Sequence, residues 1–108
     1  MPTYNKLVRD YIPQVIEKTG KEFSARILSE EEYITELKNK LNEEVVEYYE
    51  AKTNEEAIEE LADILEIIHA AAKIHGSSYE QLEEIRKEKA EKRGGFEKRI
   101  FLIEVEDD

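Results

Sequence analysis

Two helix-opening signatures, Ser29 with Glu32 and Thr53 with Glu56, constrain this chain more than any other feature. At this spacing the hydroxyl can accept from the third backbone amide of a helix while the Glu reaches back to the cap. Behind the first signature, Ile34, Leu37, Leu41, Val45 and Tyr48 recur at helical spacing. Behind the second, Ile58, Leu61, Leu65, Ile68 and Ala72 do the same until Gly76. The first helix is expected to end near Ala51, so a very short turn joins the two and makes them antiparallel neighbours.

The remaining elements follow from breakers and caps. Asp10 offers a cap, Pro13 fits a first helical turn and Gly20 an ending, which predicts a short helix over about Tyr11–Lys18. Phe23, Ala25 and Ile27 alternate with polar residues and suit an extended linker or short strand. Ser77 or Ser78 caps a fourth helix carrying Leu82, Ile85 and Lys89, which Gly94-Gly95 ends. The tail from Arg99 to Val105 is rich in β-formers and offers one strand that could pair near Phe23. The expectation is one all-α domain over residues 1–108, a bundle of about four helices with short extended segments at the termini and linker.

The paired helices carry acids at a telling spacing: Glu43, Glu44 and Glu47 on one, Glu60 and Asp63 on the other. Residues three apart share a helix face, so Glu44 with Glu47 and Glu60 with Asp63 can each close on one cation, and the hairpin can bring the pairs together. At about 100° per residue, Glu60 falls among Ile64, Ile67 and Ala71, and Asp63 lies at the edge of that arc. Glu44 lies beside the line through Leu37, Leu41 and Tyr48. Glu43 points nearly the opposite way, and Glu47 lies further round. Most other acids, such as Glu30, Glu31, Glu55, Glu56, Glu83 and Glu84, read as a solvated surface. An inward carboxylate must take a proton or find a cation, and four converging acids favour the cation.

Composition narrows the chemistry. With 27 acidic and 16 basic side chains the net charge is −11, which disfavours nucleic acid and anionic membrane as partners. No cysteine is present, so disulfides and thiolate zinc sites are excluded. No apolar run approaches a signal or membrane segment, which leads to the expectation of a cytoplasmic protein. Oxygen-only ligands select hard cations: Mg²⁺ first, Mn²⁺ as its usual substitute, Ca²⁺ behind them. Mg²⁺ commonly completes its shell with water and substrate phosphates, which points to phosphate-ester or phosphoanhydride chemistry.

The pattern Glu-Glu-x-x-Glu over residues 43–47, then Glu-x-x-Asp over 60–63, resembles the signature of the MazG-like all-α nucleotide pyrophosphohydrolases. The opening Tyr4-Asn5-Lys6-Leu7-Val8-Arg9-Asp10 and the late Lys92-Arg93-Gly94-Gly95-Phe96 resemble the small phosphoribosyl-ATP pyrophosphohydrolase-like branch, although Tyr11 stands where that branch carries a basic residue. The resemblance spans most of the chain. It implies Mg²⁺-dependent hydrolysis of a nucleoside triphosphate between its α and β phosphates, giving a monophosphate and pyrophosphate, with house-cleaning of the nucleotide pool as the expected role. It places the metal on Glu44, Glu47, Glu60 and Asp63. Glu43 or one of the ligand acids, Glu44 among them, would accept the proton of the attacking water.

Lys40, Lys89 and Arg93 are the expected phosphate contacts, with surface salt bridges an equally good account of each. Lys6 and Arg9 rank below them. His69 reads as a core or interface residue, His75 as a helix terminus, and Tyr48-Tyr49 as packing. Helix three is apolar around more than half its circumference, so a homo-oligomer is expected, and the resemblance implies a dimer or a dimer of dimers. Two rival functions remain: phosphoribosyl-ATP pyrophosphohydrolase of histidine biosynthesis, and a non-enzymatic helical interaction module.

Overall fold

A computed structural model describes residues 2–107. Four helices account for the regular structure: α1 (Ile12–Lys18), α2 (Glu30–Glu50), α3 (Asn54–Ile74) and α4 (Tyr79–Arg93). All four match the expected elements to within a residue or two. Among the described residues there is no strand. The C-terminal strand expected over Arg99–Val105 is therefore a correction, as is its pairing near Phe23. β-branched and aromatic residues confer propensity, but a strand exists only where a neighbour completes its hydrogen-bonded ladder. Here Ile100, Phe101, Leu102 and Ile103 are largely exposed and have no such neighbour.

The caps behave as their residue types require. Ser29 accepts from the Glu32 amide at 3.2 Å while Glu32 accepts from the Ser29 amide at 3.1 Å, a complete capping box. Arg26 then clamps the same Glu32 through both guanidinium nitrogens. That clamp, with the amide of Ser29, holds the Glu32 carboxyl down at about 2. Thr53 and Ser78 cap α3 and α4 through the hydroxyl half of this arrangement, accepting from the Glu56 and Gln81 amides at 3.1 and 3.2 Å, while Glu56 accepts from the Lys52 amide. Each such cap contributes about 1 kcal/mol. Gly76, at a φ of 74°, takes the left-handed conformation just after α3 and lets the Ser77 amide fold back to the Ala72 carbonyl at 2.9 Å.

The α2–α3 hairpin is the centre of the molecule. Its turn, residues 51–53, is so short that positions equally far from Lys52 on the two helices lie level with one another. Leu37 and Ile67 are one such pair, and both are buried. Around them Ile34, Leu41, Ala71 and Ile74 complete an apolar seam. Glu44 and Glu60 form a second level pair, two helical turns nearer the connection and on the same faces, because seven residues return a helix almost to its starting direction. The layer beside the apolar seam is thus acidic by construction.

Outside the hairpin, packing is thin. The α4 helix rests on α3, with the Tyr79 ring stacked on His69 at 3.9 Å between centroids. No Cα of α1 comes within 8 Å of a Cα of another helix. The radius of gyration is 18.6 Å, against roughly 13 Å for a compact chain of this length. Ile58, Leu61 and Leu65 on α3 remain exposed. No helix is long and apolar enough to cross a membrane among the described residues.

Candidate metal centre

Glu44 is the most enclosed charged residue of the hairpin, with 6% of its surface exposed. It belongs to two triads whose carboxylate oxygens lie within 4.8 Å of one another: Glu43, Glu44 and Glu47 along α2, and Glu44, Glu60 and Asp63 across to α3. The structure therefore brings together every acid that the spacing singled out. Glu60 and Asp63 are half-buried and Glu47 is exposed, so the cluster opens from a closed floor at Glu44 to a wet rim.

The floor is unsatisfied. One carboxylate oxygen of Glu44 and one of Glu60 are sealed from solvent with no hydrogen-bond donor. A buried oxygen left in that condition is destabilising by about 1–3 kcal/mol, and more when it carries charge. Burial pushes the Glu44 carboxyl up to about 7, and hydrogen bonding of its protonated form to Glu47 and Glu60 adds to the shift. Desolvation raises Glu60 as well; a hydrogen bond with Glu44 opposes the rise, and contact with Glu47 together with the Glu47 and Asp63 charges outweighs it. These two groups need either a shared proton or a positive ion between them.

Three cations stand around the cluster. Lys40, one turn before Glu44, approaches Glu43 at 3.5 Å and Glu44 at 3.6 Å. Lys6 reaches Glu43 at 3.1 Å and Arg9 reaches Asp63 at 2.7 Å, both from the segment before α1. Glu43 was expected to point away from the others. Instead its long side chain is drawn back by Lys6 and Lys40 and is half-buried. Desolvation pushes the Glu43 carboxyl up, but the Lys6 hydrogen bond and the two ammonium charges outweigh it and leave the group below its ordinary value.

The sequence ranking of the basic residues changes accordingly. Lys40 is where the spacing placed it. Lys89 and Arg93 are exposed on α4 and make no ion pair with the acids among the described residues. Lys6 and Arg9, ranked below them, are the ones at the site. The available signal was a basic pair three residues apart in the opening segment of a strongly acidic chain.

The donor set fits a hard divalent cation. Mg²⁺ binds oxygen at about 2.1 Å, which puts opposite ligand oxygens roughly 4 Å apart. The two triads already lie near that separation, and Glu44 alone faces both. Glu44, Glu47, Glu60 and Asp63 would hold the ion, and the two unpartnered oxygens are the atoms with most to gain from it.

Neither a protein-family model nor a solved structure matches the chain. It is similar to a protein of Mycolicibacterium smegmatis described only as uncharacterized, with 44% identity over 54 residues. That similarity spans 50% of this chain and 55% of the relative, so the chain covers about half the length of the protein it matches.

Proposed function

We propose that this protein is a Mg²⁺-dependent nucleoside triphosphate pyrophosphohydrolase of the MazG-like kind. The observation that carries the reading is the pair of sealed, donorless oxygens on Glu44 and Glu60, contributed by two different helices to one carboxylate cluster. Solvated acids on a helical bundle have no reason to face one another inside a hairpin, where their repulsion and desolvation oppose folding. The non-enzymatic module is the weaker reading on that ground.

The bound cation would neutralise phosphate charge and lower the pKa of a coordinated water. Everything else falls to the chain. Glu44 and Glu60 would hold the ion from the two helices, with Asp63 on α3 and Glu47 on α2 as the further ligands beside Glu44. Glu43 sits beside this group as a carboxylate paired to Lys6 and Lys40, and released from Lys6 it can accept the proton of a water attacking the α-phosphorus. Lys40, partly buried between Glu43 and Glu44, holds those two acids at a fixed distance from each other. A second copy of the chain covering Ile58, Leu61 and Leu65 would account for an apolar face that a monomer leaves open.

The direct test is a panel of ribo- and deoxyribonucleoside triphosphates together with phosphoribosyl-ATP, assayed with Mg²⁺ and with product analysis. The expected products are a nucleoside monophosphate and pyrophosphate. Release of orthophosphate, or no turnover across the panel, would remove the proposal, and turnover of phosphoribosyl-ATP alone would assign the chain to the biosynthetic reaction.

A further inference from the structure

The segment before α1 is tied to the acidic site by charge. Lys6 crosses 37 positions of sequence to reach Glu43 on α2, and Arg9 crosses 54 to reach Asp63 on α3. The two are three residues apart, yet they grip different helices, so residues 6–9 bridge the hairpin above the acids. The Lys6 ammonium also lies in the field of Glu44 and Glu47. Beyond these pairs little fixes the segment: within residues 2–10 only Leu7 is half-buried, and in α1, which continues it, no Cα lies within 8 Å of another helix and only Ile12, Pro13 and Ile16 are half-buried.

Both ion pairs are partly exposed, with side-chain exposures of 44% and 31% for one and 56% and 38% for the other. Pairs of this kind are worth about 0–1 kcal/mol each, so they are readily exchanged for better partners. A divalent cation carries twice the charge of the guanidinium it would displace from Asp63. A triphosphate, in turn, needs positive charge beside it that a chain of net charge −11 supplies sparingly. Lys89 and Arg93 do not stand at the acids; Lys6 and Arg9 do. Their geometry also suits the task, because a guanidinium binds two phosphate oxygens side by side and an ammonium serves as a mobile point charge.

We propose that residues 4–10 form a basic strap whose Lys6 and Arg9 hold Glu43 and Asp63 in the free protein and transfer to phosphate oxygens of the substrate when a divalent cation occupies the site. The exchange has two consequences. Arg9 leaves Asp63 free to ligate, and Lys6 leaves Glu43 free to take a proton. The strap thus guards the acids until both ion and polyphosphate are present. This inference rests on the proposed cation site, and its test separates the two.

The experiment compares wild type with the Lys6→Gln/Arg9→Gln double variant by titration calorimetry, first with Mg²⁺ alone and then with inorganic tripolyphosphate in saturating Mg²⁺. A Lys18→Gln/Lys21→Gln variant supplies the same change of net charge away from the site. With the competing cations gone, the strap variant is expected to bind Mg²⁺ about three- to tenfold more tightly than this control. It is expected to bind tripolyphosphate about tenfold or more weakly, because two charge-assisted contacts are lost. The opposite signs are the signature. Equal affinities in strap variant and control overturn the strap and leave the cation site standing, as does a strap variant that loses affinity for both ligands. No Mg²⁺ binding by either wild type or the strap variant overturns the cation site and the strap together.

Discussion

Glu60→Gln is expected to abolish Mg²⁺-dependent turnover, by more than the roughly 100-fold that even outer partners of a bound metal typically contribute, while the helical circular-dichroism signal stays unchanged. The substitution keeps the size and shape of the side chain and removes one charge at the place where α3 meets Glu44. Glu60 has a sealed oxygen without a donor, so that oxygen makes no hydrogen bond that holds the hairpin together, and in the proposed site its contribution is to the cation. An amide there can donate to Glu44, which relieves the repulsion and makes the cation-free protein at least as stable as before. Loss of function with gain of stability is the mark of a group retained for its chemistry. Unchanged turnover in this variant would show that Glu60 is no ligand.

The second large effect couples pH, stability and the cation. The Glu44 carboxyl titrates at about 7 in the folded protein against 4.5 for the ordinary group, raised first by burial and then by its acidic neighbours, and Glu60 moves in the same direction. Between those two pH values the folded state holds a proton that the unfolded chain has released. The stability associated with protonated Glu44 is therefore complete below about pH 4.5 and is lost as pH rises through 7. Integrated over that interval the loss is on the order of 3 kcal/mol for a group this enclosed.

A divalent cation reverses this dependence because it binds the ionised carboxylates. At pH 8 and a Mg²⁺ concentration 100 times its Kd, linkage contributes about 2.7 kcal/mol, which for a domain of this size raises Tm by about 10 °C or more. At pH 5 the proton competes for Glu44, and the rise is expected to shrink to a few degrees. Thermal melts at the two pH values, with and without Mg²⁺, check both halves. A Mg²⁺ effect of equal size at pH 5 and pH 8 would mean that the ion acts elsewhere on the acidic surface.

How far the sequence foretold this architecture depends on how local each signal is. Ser29 with Glu32, and Thr53 with Glu56, act within one helical turn, so the starts of α2 and α3 were legible, and the short turn between them fixed their antiparallel pairing. The helical angle then identified Glu44 and Glu60 as inward, because their neighbours Leu37, Leu41, Ile64 and Ile67 define the buried faces. Glu43 was misjudged because the angle locates a Cβ atom and not the end of a flexible side chain, which Lys6 and Lys40 pull toward the site. Lys6 and Arg9 were ranked below Lys89 and Arg93 for a related reason. Their partners lie 37 and 54 residues away, and no periodic pattern encodes such a pairing. The tail from Arg99 to Val105 marks the other limit, since propensity for a strand says nothing about whether a neighbouring strand exists.

Paramagnetic broadening by Mn²⁺ tests most directly whether a cation is held between Glu44 and Glu60. In a spectrum of the side-chain carboxyl carbons, substoichiometric Mn²⁺ at pH 8 should first erase the signals of Glu44, Glu47, Glu60 and Asp63, and Mg²⁺ should restore them by competition. Broadening spread evenly over surface acids such as Glu30, Glu55 and Glu83, with Glu44 and Glu60 spared, would contradict the account.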